Sequence, residues 1–265
     1  MAKGKARRFY PGAQGIVQSQ TGPDYSYLYR ASTVRDPAYW VGYTVDLPDR
    51  RQYVYSKSSA ACLSNRGAEF TQAGYVSYTS VTTSVAVGKM EVTVPAATHA
   101  TLTEDFLRGG YLTIFMTGGN TQFRGIVGNQ AVAANAAFKL QLDAELSEAV
   151  TTSEAMEVFQ NPYNELRTGT MNYYAKAGVP AVDVTAADTY FWLQTRGMIF
   201  ADPQGGKIGT TEGGYIGGLW SDYGNISDYN TSLGVTVAGG RGSQHAGHAV
   251  LGDADNIGPL FMLQG

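Results

Sequence analysis

The stretch Val182-Asp-Val-Thr-Ala-Ala-Asp-Thr-Tyr-Phe-Trp-Leu-Gln-Thr-Arg-Gly197 decides the fold class. Its centre, Tyr190 to Leu193, is aromatic and β-prone, rises out of a turn and runs on to a glycine, which reads as a buried strand and not as a catalytic motif. The same grammar continues downstream. Met198 to Ala201 is a short apolar run, Asp202-Pro-Gln-Gly-Gly206 a turn, and Lys207-Ile-Gly-Thr210 the start of another strand.

Upstream, Gln52-Tyr-Val-Tyr55 and Gly74-Tyr-Val-Ser-Tyr78 read as short strands, and Lys89 to Val94 alternates cleanly until Pro95 ends it. Tyr111 to Thr117 and Thr121 to Val127 flank Gly118-Gly-Asn120, a hairpin signal. Ala137 to Leu142 and Met156 to Phe159 add alternating strands. Beyond 165 the chain is glycine-dense, with strands expected near 171–175, 182–184, 190–201, 207–209, 233–238 and 259–263. Thr103-Glu-Asp-Phe-Leu107 has the capping residue and following acids of a single helical turn. No sustained helical period exists elsewhere, which excludes helical bundles and doubly wound α/β folds.

These signals predict an all-β protein of two packed sandwich- or barrel-like units behind an extended N-terminal arm. The expected divisions are an arm over 1–40, a first β segment over 41–95, an inserted or second β unit over 96–165, and a glycine-rich β domain over 166–265. In the arm, Tyr25, Tyr27 and Tyr29 recur at period two, so an extended chain there presents one aromatic face that needs a partner. Lys3, Lys5, Arg7 and Arg8 precede it as a basic cluster that reads either as a solvated tail or as an arm reaching an acidic neighbour.

Composition narrows the function classes. The 265 residues carry 15% charged side chains, below the roughly 25% of an average domain, together with 33 glycines and 18 tyrosines. That balance suits a protein partly covered by partners, because tyrosine serves surfaces that are dry at one end and wet at the other. A net charge of −3 argues against specific nucleic-acid binding. Cys62 is the single cysteine, so it forms no intramolecular disulfide and fits a reduced, cytoplasmic site of synthesis. No apolar h-region follows the basic start and no stretch has the length of a membrane helix, so neither export nor membrane association is expected.

The chemical motifs are incomplete. His245-Ala-Gly-His248 spaces two imidazoles for a metal on a helix, but the surrounding glycines predict a loop. His99 has no obvious acidic neighbour and reads as a surface or structural histidine. Asp253 and Asp255 open like a calcium loop, yet Ile257 and the missing distal glutamate break the pattern. Gly205-Gly-Lys207 lacks the Ser/Thr of a phosphate loop. Asp222, Asp228, Asp253 and Asp255 are the carboxylates a glycosidase would need, but they sit among turn formers. Asn225 and Asn230 match glycosylation sequons and read as loop asparagines. No catalytic residue, metal or cofactor is expected. Trp192, between Phe191 and Leu193, belongs to the core, whereas Trp220 in Gly217-Gly-Leu-Trp-Ser-Asp-Tyr223 is the better candidate for an exposed contact.

Three blocks, Asp46-Leu-Pro-Asp-Arg-Arg51, Asn161-Pro-Tyr163 and Tyr190 to Gly197, resemble blocks in structural proteins of tailed bacteriophages, over most of residues 40 to 265. The C-terminal pattern of an aromatic strand, glycine and short glycine-spaced strands is similar to that of capsid decoration, or cement, proteins. The resemblance implies a non-enzymatic virion protein on the outer capsid surface. It would tie neighbouring major capsid subunits together as a homo-oligomer, commonly a trimer, after synthesis in the host cytoplasm. Its expected interface residues are Lys3, Lys5, Arg7, Arg8, Tyr25, Tyr27, Tyr29 and Trp220. The alternative is a tail or fibre component that binds a host glycan, although neither repeats nor a stalk are visible. A major capsid protein would need a long spine helix, and a secreted glycan hydrolase a signal peptide.

Overall fold

The computed structural model describes residues 24–70, 74–168, 174–202, 217–220, 224–228, 244–251 and 260–263. The chain begins with a 3-10 turn at Ser26–Tyr29 and then forms β1 (Thr44–Asp46), β2 (Gln52–Lys57) and β3 (Ala68–Phe70). Next come β4 (Gly74–Ser80), β5 (Glu91–Val94), β6 (Tyr111–Phe115), β7 (Thr121–Asn129), β8 (Phe138–Leu142) and β9 (Ala155–Phe159). The remainder supplies β10 (Leu166–Thr168), β11 (Lys176–Pro180), β12 (Tyr190–Phe200), β13 (Gly217–Trp220), β14 (Ile226–Asp228), β15 (His245–Leu251) and β16 (Leu260–Leu263). The architecture is all-β in two antiparallel sheets.

Strand β12 organises the larger, ten-stranded sheet. Its first half pairs with β2 from Tyr190↔Lys57 to Arg196↔Gln52, with a bulge between Gln194 and Arg196. The second half leaves β2 and pairs with β16 from Gly197↔Leu263 to Phe200↔Leu260. Gly197 makes the exchange possible. Its φ is 92°, and a Cβ there would lie 2.9 Å from the Arg51 Cα; the glycine expected to end the strand instead carries it past the neighbouring backbone.

The run around Trp192 is apolar on successive residues because β12 is covered on both faces. Phe191 and Leu193 pack with Cys62, Ala68, Leu166 and Val184. Trp192 points the other way, into a cluster with Leu28, Leu47, Tyr53 and Tyr55.

The smaller sheet has the order β4-β9-β6-β7-β8-β5 and a core of its own, including Val92, Leu112, Ile114, Ile126, Phe138, Leu140, Met156 and Val158. The hairpin at Gly118-Gly119 is present, closed by the Met116 N–H donating to Asn120 O at 3.0 Å. The helical turn expected at Thr103–Leu107 is a chain of hydrogen-bonded turns, because Asp105 takes φ 58° and breaks any helical continuation.

The expected division into successive segments differs from the sheet membership. Strands from the 41–95 stretch are shared between both sheets: β1 to β3 join β10 to β16, while β4 and β5 join β6 to β9. The smaller sheet is therefore an insertion with adjacent ends, since β3 leading into it pairs with β10 leading out, Phe70↔Leu166 through Ala68↔Thr168. Strand order depends on pairing between distant segments, which local periodicity does not report.

Two polar devices hold this exchange point. Glu69 is fully buried and accepts from Lys176 Nζ at 2.6 Å and from Arg167 Nε at 3.0 Å, so one carboxylate ties β3 to both its neighbours. Asn161 bridges the sheets: its Nδ2 donates to Val41 O at 2.7 Å and Arg108 O at 3.1 Å, and its Oδ1 accepts from the Tyr163 N–H at 3.0 Å. Gly42 and Gly109 lie against that amide in the left-handed region, where a Cβ would come within 2.7 and 2.5 Å of Nδ2. Beside it the Arg108 guanidinium lies 4.6 Å from the Trp40 ring centroid.

Candidate functional site

The basic cluster Lys3, Lys5, Arg7 and Arg8 lies outside the described residues, as do Lys207, Asp222, Asn230, Asp253 and Asp255. Where the tyrosines of the arm are described, the chain is a 3-10 turn over Ser26–Tyr29 and not extended. The Leu28 N–H donates to Tyr25 O at 3.0 Å, closing the 3-10 turn, and Leu28 is completely buried. The three tyrosines consequently do not share one exposed face: Tyr25 and Tyr27 turn onto the core and Tyr29 stays outside. Tyr27 meets the edge of Trp192 at 5.7 Å between centroids, and Tyr25 packs on the same cluster. Tyr29 remains 48% exposed and accepts from Arg51 NH1 at 3.0 Å. The partner of this aromatic segment is thus the chain's own core.

Tyr39 is the centre of that cluster, with centroids 5.0 Å from Trp192, 5.2 Å from Tyr43 and 5.5 Å from Tyr55. Burial, reinforced by neighbouring tyrosines, pushes the Tyr27 hydroxyl up to about 12. Burial likewise raises the Cys62 thiol to about 12, which suits a core residue and not a nucleophile.

Trp220, expected to be exposed, is only 8% accessible. Its ring lies on Gly67, where a Cβ would come within 2.9 Å of the indole. The slot for the indole is supplied by Gly67, far earlier in the chain, and not by the glycines that neighbour Trp220 in sequence.

The His245–His248 segment is strand β15 and not a loop, with a register shift opposite Gly218 and Leu219 and ring centroids 5.1 Å apart. Of the two readings of His99 the structural one holds: Nδ1 and Nε2 lie 2.7 and 2.8 Å from the Ala100 and Ala136 carbonyl oxygens. Asn225 is buried against Asp202, its Nδ2 donating at 2.8 Å. Among the described residues no group of three or more His, Cys, Asp or Glu is placed to hold a metal ion, and no helix is long and apolar enough to cross a membrane.

Among the described residues an uncovered aromatic surface lies on the smaller sheet, a feature the sequence reading did not isolate. Its outer face carries Tyr78 on β4, Tyr111 and Phe115 on β6, and Phe123 and Val127 on β7. Of these, Tyr78 is 68%, Phe123 57%, Val127 46% and Tyr111 39% exposed. Tyr111 stacks on Phe123 at 5.1 Å and 17° between planes, while Tyr78 meets Phe115 at 5.3 Å across the small Ala155 of β9. The other half of this face is polar: Glu91 on β5 accepts from Lys139 Nζ and Gln141 Nε2 on β8, both at 2.7 Å. The available signal was the alternation at Tyr111, Phe115 and Phe123, which shows that one face is apolar but not whether anything covers it.

A groove of about 610 Å³ lies on the larger sheet. Tyr29, Arg51 and Gln194 line it, together with Leu63, Asp183 and Phe200. Arg51 NH1 donates to the Tyr29 and Tyr53 hydroxyls, both at 3.0 Å, and Tyr53 in turn donates to Gln194 Oε1 at 3.0 Å. Burial opposes the Arg51 charge, but its bonds to Asp49 and Tyr29 outweigh that and keep it a firm cation. Asp183 is held below its ordinary carboxylate value by the Ser64 backbone N–H, which donates to it at 2.7 Å.

No family model, curated protein or solved structure matches this chain.

Proposed function

We propose that this protein is a component of a tailed-phage virion: a decoration or cement protein that attaches to the outer surface of the head and joins neighbouring major capsid subunits as a homo-oligomer. The observation that supports this reading best is the uncovered aromatic face on β4, β6 and β7. A contiguous exposed apolar surface edged by polar groups has the character of a protein contact, with aromatic anchors supplying affinity. The Glu91–Lys139–Gln141 strip beside it gives such a contact a fixed direction, since charges at a rim set orientation more than strength. The resemblance of the Asp46–Arg51, Asn161–Tyr163 and Tyr190–Gly197 blocks to phage structural proteins supports the choice of the major capsid protein as partner. The protein acts by docking and carries out no chemistry.

The test is co-sedimentation with undecorated heads. Replacing both Tyr78 and Phe123 with serine removes two anchors, each contributing about 1.5–3 kcal/mol when fully buried, so retention should fall by at least a hundredfold in apparent affinity. Equal retention of the variant and the unmodified chain would overturn the reading. Imaging of purified virions would place the protein on head or tail.

A further inference from the structure

The groove on the larger sheet has a different character from the docking face and lies on other strands. Arg51 reaches it from the chain just ahead of β2, Tyr29 from the 3-10 turn, Asp183 from the segment after β11, and Gln194 and Phe200 from the two halves of β12. Its volume of about 610 Å³ lies inside the roughly 300–1,000 Å³ range of small-molecule sites. The polar wall is already organised. Arg51 is fixed by Asp49 at 2.7 Å and by two phenol oxygens, and the Gln194 amide is fixed by donating to Met198 O at 2.8 Å. Groups held in this way lose little freedom when a ligand arrives.

From this geometry we infer that the groove binds a neutral saccharide. The lining carries one cation, Arg51, and one anion, Asp183, so a charged ligand attracted by one is repelled by the other. Sugar hydroxyls can serve both, accepting from the guanidinium and donating to the carboxylate. The rings of Tyr29 and Phe200, 48% and 50% exposed, offer apolar surface for the C–H face of a pyranose. Asp183 is the one carboxylate among the described lining residues, whereas glycoside cleavage ordinarily takes two, so the inference is of binding and not of cleavage. This inference does not depend on where the protein sits in a virion.

The test uses the full chain with maltotriose, cellotriose and chitotriose as probes, read by saturation-transfer NMR and titration calorimetry, with inorganic phosphate and glycine as charged comparators. At least one trisaccharide should bind, and Phe200→Ala and Asp183→Asn should each weaken it at least tenfold with circular dichroism unchanged. Tyr78→Ser, on the other sheet, should leave sugar binding intact while lowering head retention, so the two proposals fail separately. The inference is overturned if none of the three trisaccharides binds at millimolar concentration. It is also overturned if both groove variants bind like the unmodified chain, or if phosphate or glycine binds more tightly than every sugar.

Discussion

Two aromatic surfaces of this molecule are built from the same residue types and meet opposite fates. On the larger sheet, Trp192, Tyr53 and Tyr55 are covered by the chain segment that carries Tyr27, Leu28, Tyr39 and Tyr43. On the smaller sheet, Tyr78, Tyr111 and Phe123 lie in the open. Closeness of the rings does not separate them, since Tyr39 meets Trp192 edge-on and Tyr111 stacks on Phe123 at nearly the same centroid distance, 5.0 and 5.1 Å. The difference is a covering segment. An aromatic face closed by its own chain contributes to stability, and one left open stays available to another molecule.

The sharpest way to break that comparison is to truncate a covered ring. Trp192→Ala should cost about 3–5 kcal/mol, the range for a large buried aromatic, and lower the urea midpoint accordingly. A loss below about 1 kcal/mol would mean that the covered face is not a core. Glu69→Ala belongs to the same range, about 3–5 kcal/mol, because it leaves Lys176 buried without its carboxylate. Glu69→Gln, which keeps the shape and a hydrogen-bonding group, should lose less.

Asn161→Ala removes the amide shared by Val41, Arg108 and Tyr163 and should cost about 1–3 kcal/mol, read from the same denaturation curve. If the two sheets then melt in separate transitions, Asn161 couples them. A single transition with an unchanged midpoint would remove it from that role.

Acid should act on both regions more gently. The Lys57 ammonium holds Asp188, and that of Lys139 holds Glu91, below the usual carboxylate range; the hydroxyl and N–H of Thr151 do the same for Glu154. A carboxylate with a depressed folded-state pKa stabilises fully above its unfolded value and ceases to as the pH falls through the folded one. The thermal midpoint should therefore decline between about pH 5 and about pH 3, and added salt should flatten the decline at the two exposed ion pairs. A midpoint that rises on acidification would contradict these assignments.

The smallest effect on stability should come from the open face. Phe123→Ser should change unfolding by no more than about 0.5 kcal/mol while still weakening the head attachment proposed for this face. A large loss of stability would show that Phe123 belongs to the core of the smaller sheet.

Much of the strand content was legible because a half-buried strand writes its own period. The β6–β7 hairpin announces itself by apolar alternation around Gly118-Gly119, and β8 by Phe138, Leu140 and Leu142. Trp192 was legible as core for a related reason: a strand apolar on successive residues has to be covered on both faces. Trp220 was not, because the glycine beneath it, Gly67, lies far away in sequence. Tyr25, Tyr27 and Tyr29 misled because spacing of two describes an extended chain only if the backbone is extended, and the Leu28–Tyr25 hydrogen bond closes a turn there.

The sequence by itself determined that the chain is all-β, where most of its longer described strands fall, and that it is poor in charge and rich in tyrosine, because composition and side-chain alternation are local properties. Only the tertiary structure decided that β12 changes partners at Gly197, that residues 74–159 form an inserted sheet, that one aromatic face is closed and the other open, and that Tyr29, Arg51, Asp183 and Phe200 share a groove. Each of these follows from which distant strand lies beside which, and that is fixed by the packing of the whole chain.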